Sequence, residues 1–234
     1  MSTVILVRHG RSTANADGVL AGRTPGIELD ETGREQAERT GQRLGAVPLV
    51  GVVSSPLERC RQTANAILAH QTGSPTAPTE TALTECDYGD WQGRKIADLA
   101  KEDLWTVVQR HPSAAVFPGG ESLAAMQARA VAAVRRHHAG FQATHGSAAV
   151  WAVVSHGDLI KSILADALGL HLDLFQRIHV HPASVSIVRY TTTSPEVVAM
   201  NTDAGDLSWL REQASEAPVG GGAGPGHARA CGDS

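Results

Sequence analysis

Val4-Ile5-Leu6-Val7 runs directly into Arg8-His9-Gly10, and a second apolar run, Ala149-Val150-Trp151-Ala152-Val153-Val154, ends alike in Ser155-His156-Gly157. Short, continuously apolar stretches rich in β-branched residues read as strands buried on both faces. Leu49–Ser54 (LVGVVS) is a third run of this kind. Ser184–Tyr190 and Glu196–Asn201 read as a closing strand pair, and Pro78–Leu83 as a weak strand. Between them lie helical patterns. Thr32-Gly33-Arg34-Glu35 has capping-box spacing and opens a helix to about Leu44. Ser55-Pro56-Leu57-Glu58 offers an N-cap, Pro at the first helical position and Glu at the third, so a helix runs from there to about His70. Further helices are expected over Ile96–Arg110, Ser122–Ala143 and Asp158–Leu168, with Phe117-Pro118-Gly119-Gly120 as a breaker and Thr84–Gly93 as a loop. Alternating strands and helices specify an α/β protein, a three-layer α/β/α arrangement around a mostly parallel sheet.

Composition narrows the class. At 234 residues with 42% hydrophobic and 19% charged residues, the chain has the make-up of a folded protein able to bury a core. A formal net charge of −4 argues against a general nucleic-acid binder. Cys60, Cys86 and Cys231 form neither a disulfide framework nor a zinc knuckle, which fits a reducing cytoplasm. The apolar run before Arg8 is too short for a signal peptide or a membrane anchor. Residues 1–213 are expected to form one domain. Residues 214–234, with six Gly and two Pro, are expected to be a disordered tail. Arg outnumbers Lys 17 to 3. That bias suits phosphate recognition, and equally a GC-rich coding genome.

In an open α/β sheet, ligands bind beyond the carboxyl ends of the strands. His9 and His156 each stand at such an end, Arg8 precedes His9, and Arg59 lies one turn into the helix after the third strand. Two arginines and two histidines at one edge make a cationic pocket without a metal. The guanidinium forks suit phosphoryl oxygens, the amides of Gly157 and Asp158 at a helix start suit the same anion, and His can act as a nucleophile. His179-x-His181 has metal-ligand spacing, but no acid or Cys cluster accompanies it, so a structural or pocket-lining role is expected. Trp91 and Trp105 read as packing residues. His137, His138, His145, Arg135 and Arg136 read as a solvated helix face.

Arg8-His9-Gly10-Arg11-Ser12-Thr13-Ala14-Asn15 resembles the R-H-G-x-S/T-x-x-N signature of the histidine phosphatase superfamily, in its phosphoglycerate mutase-like branch. Ser54-Ser55-Pro56-Leu57-Glu58-Arg59-Cys60-Arg61-Gln62-Thr63-Ala64 is similar to a second block. Leu83-Thr84-Glu85-Cys86-Asp87-Tyr88-Gly89-Asp90-Trp91-Gln92-Gly93, Pro118-Gly119-Gly120-Glu121-Ser122 and Val154-Ser155-His156-Gly157 resemble three more. The resemblance spans roughly residues 3–203 and implies a phosphoglycerate mutase-like fold.

It further implies His9 as a nucleophile forming phosphohistidine, Arg8, Arg59 and His156 as phosphoryl ligands, and Glu85 as general acid and then base. Asn15, Arg23, Gly157 and Asp158 are implied as substrate contacts. No cofactor or metal is implied, and the expected partner is a small phosphomonoester bound by a monomer or homodimer. Mutases of this family carry a long basic insertion before the Gly-Glu-Ser block. Here only 25 residues, Arg94 to Pro118, fill that place. The expectation is therefore phosphomonoester hydrolysis, with a cofactor-dependent phosphomutase as the alternative and a phospho-ligand scaffold as a third reading.

Overall fold

In the computed structural model, which describes residues 2–203 and Gly220, the strands form a single sheet. They are β1 (Ser2–Arg8), β2 (Val52–Ser54), β3 (Val150–Ser155), β4 (Val185–Tyr190) and β5 (Pro195–Thr202). The order is β2-β3-β1-β4-β5, with β2, β3 and β1 parallel and β4 and β5 added antiparallel. Successive side chains on a strand face opposite ways, and the core divides accordingly. Ile5, Val7, Val52, Ala152 and Val154 face one layer, while Val4, Leu6, Val53, Trp151 and Val153 face the other. Burying one such side chain contributes about 1.5–3 kcal/mol.

The helices are α1 (Thr13–Ala16), α2 (Glu31–Leu44), α3 (Glu58–Ala69), α4 (Ile96–Leu99), α5 (Asp103–Arg110), α6 (Leu123–His145) and α7 (Gly157–Ala167). Leu44 of α2 and Cys60, Ala64 and Ile67 of α3 cover the first face. Met126, Ala130 and Val134 of α6 and Leu159, Ile160 and Ile163 of α7 cover the second. The three-layer reading holds. The boundary at residue 213 and the tail over 214–234 fall on residues outside those described, Gly220 apart.

Several local expectations need correcting. Helix α2 starts two residues earlier than the Thr32 box, because Asp30 is the N-cap and its Oδ1 accepts from Gly33 N at 2.7 Å. Thr32 instead accepts from Arg11 Nη2 at 2.8 Å. Helix α3 begins after Leu57, so Ser55-Pro56 is loop. The expected helix over Ile96–Arg110 is two, interrupted at residues 100–102. Pro78–Leu83 pairs with β2 only through one isolated bridge, Ser54 to Thr79, and ends in a 3-10 turn over Thr81–Leu83. His137 and His138 are half-buried: the first meets Glu80 Oε2 at 3.0 Å and the second Ser2 Oγ at 2.7 Å. His145 is exposed, as expected. Trp91 is buried, stacked on Trp105 and edge-on to Phe117. No helix among the described residues is long and apolar enough to cross a membrane.

Register places the site. Arg8 pairs with Ser155 and Ser54 with Val154. The pairing runs on one step further, with His9 N donating to Ser155 O and Ser55 N to Val154 O, each at 2.9 Å. All three parallel strands therefore release their next residues at one edge. The loop after β1 turns beneath the start of α2 where Gly10 meets Gly33. A Cβ on Gly10 would overlap the Gly33 carbonyl, and one on Gly33 would overlap the Arg11 carbonyl. Gly33→Ala should lower the free energy of unfolding by about 1–3 kcal/mol in urea titrations. Gly140→Ala, in open space on α6, should raise it by about 0.5–1 kcal/mol.

Candidate active site

His9 and His156 leave the ends of β1 and β3 with ring centroids 5.2 Å apart at 65°. Both are buried. His9 Nδ1 lies 2.7 Å from Gly10 O. A carbonyl only accepts, so Nδ1 carries the proton and Nε2 keeps its lone pair. Arg59 Nε donates to that Nε2 at 3.3 Å. Arg59 Nη2 also faces His156 Nδ1 at 3.2 Å. A guanidinium only donates, so His156 holds its proton on Nε2 and gives it to Ser55 Oγ at 2.8 Å. One arginine thus sets the outward nitrogen of both rings.

Burial holds both imidazoles well below the usual His range, and the Arg59 charge reinforces it. His9 is therefore neutral and nucleophilic throughout the neutral pH range. Arg8 is buried, donates Nη1 to Val180 O at 2.8 Å, and stays charged although burial lowers it to about 10. Arg59 Nη1 is buried and has no hydrogen-bond partner among the described residues.

Glu85 arrives from the loop after the Thr81–Leu83 turn, with Oε2 4.0 Å from His156 Nδ1. Burial and the nearby Asp158 charge push its carboxyl up to about 7, against the pull of the Cys86 amide, Arg59 and Arg8. Its main chain is clamped. Arg129 on α6 donates Nη1 to Ala82 O and Thr84 O at 2.7 Å each and Nη2 to Glu85 O at 3.1 Å. Glu121 pairs with Arg129 and accepts from Asp87 N at 2.9 Å. The loop also crosses the Pro118–Gly120 turn without clearance, since a Cβ on Gly89 or Gly120 would overlap backbone there.

The recess at this edge holds about 330 Å³, part of it open to solvent. Its lining combines the polar His9, Arg59, Glu85, Ser12 and Asn15 with Val19, Leu20, Ala21, Gly22, Tyr88 and Ile96. The structure thus joins His9, Arg59, Glu85 and Asn15, with Arg8 and His156 buried around them. Arg23, Gly157 and Asp158 are not among the described residues that line the recess. Arg23 is bound to Glu85 O, Asp87 and Glu121. Asp158 is buried, accepting from Tyr88 Oη at 2.8 Å and meeting Lys161 Nζ at 3.3 Å.

Gly220, from the stretch expected to be a tail, lies against the site. Its carbonyl accepts from Arg8 Nη2 at 3.4 Å and its N–H donates to Asp158 Oδ2 at 3.0 Å. Sequence reading missed Ser55, Arg129 and Glu121 as site supports. The Gly-Glu-Ser block contained Glu121, but nothing local marks Arg129. His179 is exposed and His181 N donates to Asn201 Oδ1 at 2.6 Å. Among the described residues no group of three or more His, Cys, Asp or Glu side chains is arranged to hold a metal ion.

Residues 4–203 match the family model of the histidine phosphatase superfamily, branch 1. The chain belongs to that superfamily. It is 30% identical over 219 residues to a probable phosphoglycerate mutase GpmB of Erwinia tasmaniensis, covering 92% of this chain and 97% of the relative. It is 31% identical over 186 residues to an acid phosphatase of Mycobacterium tuberculosis, covering 79% and 84%. Bacillus stearothermophilus YhfR has the same fold, with a TM-score of 0.78 at 24% identity over 88% of this chain and 98% of that one. The class is that of phosphatases and mutases.

A carboxyl that titrates near 7 has a cost in stability. Glu85 in the unfolded chain ionises from about 4.5 upward while the folded protein keeps its proton. Stability therefore falls as pH rises from 4.5 to 7 and the loss is complete above 7, on the order of 3 kcal/mol. Glu85→Gln should raise the unfolding free energy at pH 8 by that order and leave it unchanged at pH 4. Denaturant titrations at the two pH values measure this.

Proposed function

We propose that this chain is a metal-independent phosphomonoesterase acting on small phosphorylated metabolites through phosphohistidine. The observation that carries the reading is the pairing of a neutral His9, its Nε2 lone pair facing Arg59, with a Glu85 carboxyl that keeps its proton up to about pH 7. In the first step His9 Nε2 attacks phosphorus, the P–O bond to the alcohol breaks, and Glu85 gives its proton to the departing oxygen. Arg8 and Arg59, whose Nη1 has no partner among the described residues, balance the growing charge on the phosphoryl oxygens. In the second step the Glu85 carboxylate takes a proton from water, whose oxygen attacks phosphorus and frees His9. His156 and Ser55 orient the group, and Asn15, on the lining of the recess, touches the ester in this reading.

Hydrolysis rather than transfer is favoured by the cations around the recess. Arg94 is paired with Glu102, Lys101 with Asp98, and Lys95 donates to Asp17 O. Arg23 is taken by Asp87 and Glu121. A phosphoglycerate carboxylate or a second phosphate would have to displace one of these pairs. The similarity to a probable phosphoglycerate mutase over 92% of the chain keeps the phosphomutase as the second reading.

Phosphate release from p-nitrophenyl phosphate should persist in EDTA and fall at least about 10³-fold in His9→Ala. Full activity in that variant would sink the mechanism. Bisphosphoglycerate-dependent interconversion of phosphoglycerates, without net phosphate release, would establish the mutase instead.

A further inference from the structure

We propose that Asp158 is a positioning residue for the proton donor: its buried carboxylate, held by Tyr88 and Lys161 where the Glu85 loop meets the first turn of α7, keeps the proton on Glu85. This rests on the reading of Glu85 as general acid given above.

An acidic residue in the first turn of a helix is ordinary at a surface, where it complements the helix dipole. Asp158 is no such case. Its side chain has no exposed surface, and it stands two residues from His156, in a region the phosphoryl reading fills with an anion. A buried charge there is costly unless it is paired and hydrogen-bonded. The fold supplies both. Tyr88 Oη donates to Oδ2 at 2.8 Å and Gly220 N to the same oxygen at 3.0 Å. Lys161 Nζ, itself buried, lies 3.3 Å from Oδ1, donates to Gln176 Oε1 at 3.0 Å and sits 5.5 Å from the Phe175 ring centre. Tyr88 is three residues past Glu85, so this hydrogen bond ties the donor's loop to the helix that follows His156.

The charges around Glu85 show why a carboxylate is useful there. Arg8 from β1 and Arg59 from α3 both draw the Glu85 proton away, as does the Cys86 amide at 2.9 Å. Arg23 and Arg129 add positive charge at its carbonyl, and His156 is neutral 4.0 Å off. Burial is the larger influence that holds the proton on Glu85, and two guanidiniums suited to phosphate work against it. Asp158 is the neighbouring negative charge that opposes them, which agrees with the direction of the Glu85 shift. An amide at this position could still accept from Tyr88, so it is the charge that distinguishes Asp158.

The test is the pH dependence of kcat/KM on phenyl phosphate, whose leaving group needs a proton. Substrate ionisation is common to all variants, so differences between profiles report the enzyme. Wild type should lose activity through a basic limb near pH 7, and Glu85→Gln should lack that limb. Asp158→Asn should move the limb down by about one pH unit, giving a roughly tenfold loss at pH 8 and little change at pH 5.5. Lys161→Met uncovers the Asp158 charge and should move the limb up. If Asp158→Asn does not fold, the Lys161→Met profile decides alone. A limb unmoved or lowered in Lys161→Met, or unmoved in a folded Asp158→Asn, overturns the proposal. A limb that survives in Glu85→Gln overturns the underlying reading of Glu85 instead.

Discussion

One arginine organises the chemistry of this edge. Arg59 touches His9 and His156 with different nitrogens and also donates to Gly22 O at 2.8 Å. Because a guanidinium cannot accept, each contact fixes a tautomer, and the rest of the site inherits that choice. His9 must turn its N–H back to its own loop, and His156 must turn its N–H to Ser55. The same planar group then has only Nη1 left. Arg59 reaches this position because β2 ends level with β1 and β3 and hands its chain to α3.

Much of this was readable in the sequence, and the limits follow from which forces are local. Apolar runs and the His-Gly endings located β1, β3 and the edge where they meet, because burial on two faces leaves a plain pattern. Helix starts were less secure. Thr32 and Ser55 both had capping chemistry, yet Asp30 won the first and a histidine took the second. A short polar side chain caps a helix only when nothing else within reach binds it more strongly. The break between α4 and α5 was hidden because Glu102-Asp103 suits a helix start as well as a helix interior. The Arg129 clamp and the Tyr88–Asp158 hydrogen bond were invisible for another reason. Their partners lie some 40 and 70 residues away along the chain, and no spacing rule spans such distances.

The supports of Glu85 show how one loop is made rigid without regular structure. Arg129 and Glu121 occupy its carbonyls and amides, so the backbone is satisfied where no ladder is available. The buried carboxylate is then carried on a frame that does not relax to relieve it. That frame is what lets an unfavourable group persist, with the penalty met by the two packed faces of the sheet.

The two places where glycines cross also have a bearing on redesign. At Gly10, Gly33, Gly89 and Gly120 the facing strand of chain is backbone, which has no rotamer to swing aside. Anyone rebuilding this domain for a new substrate could start with Val19 and Ala21, which line the recess outside the buried core. The four bare α-carbons would have to be kept, since the distance between nucleophile and proton donor is set by chains that touch there.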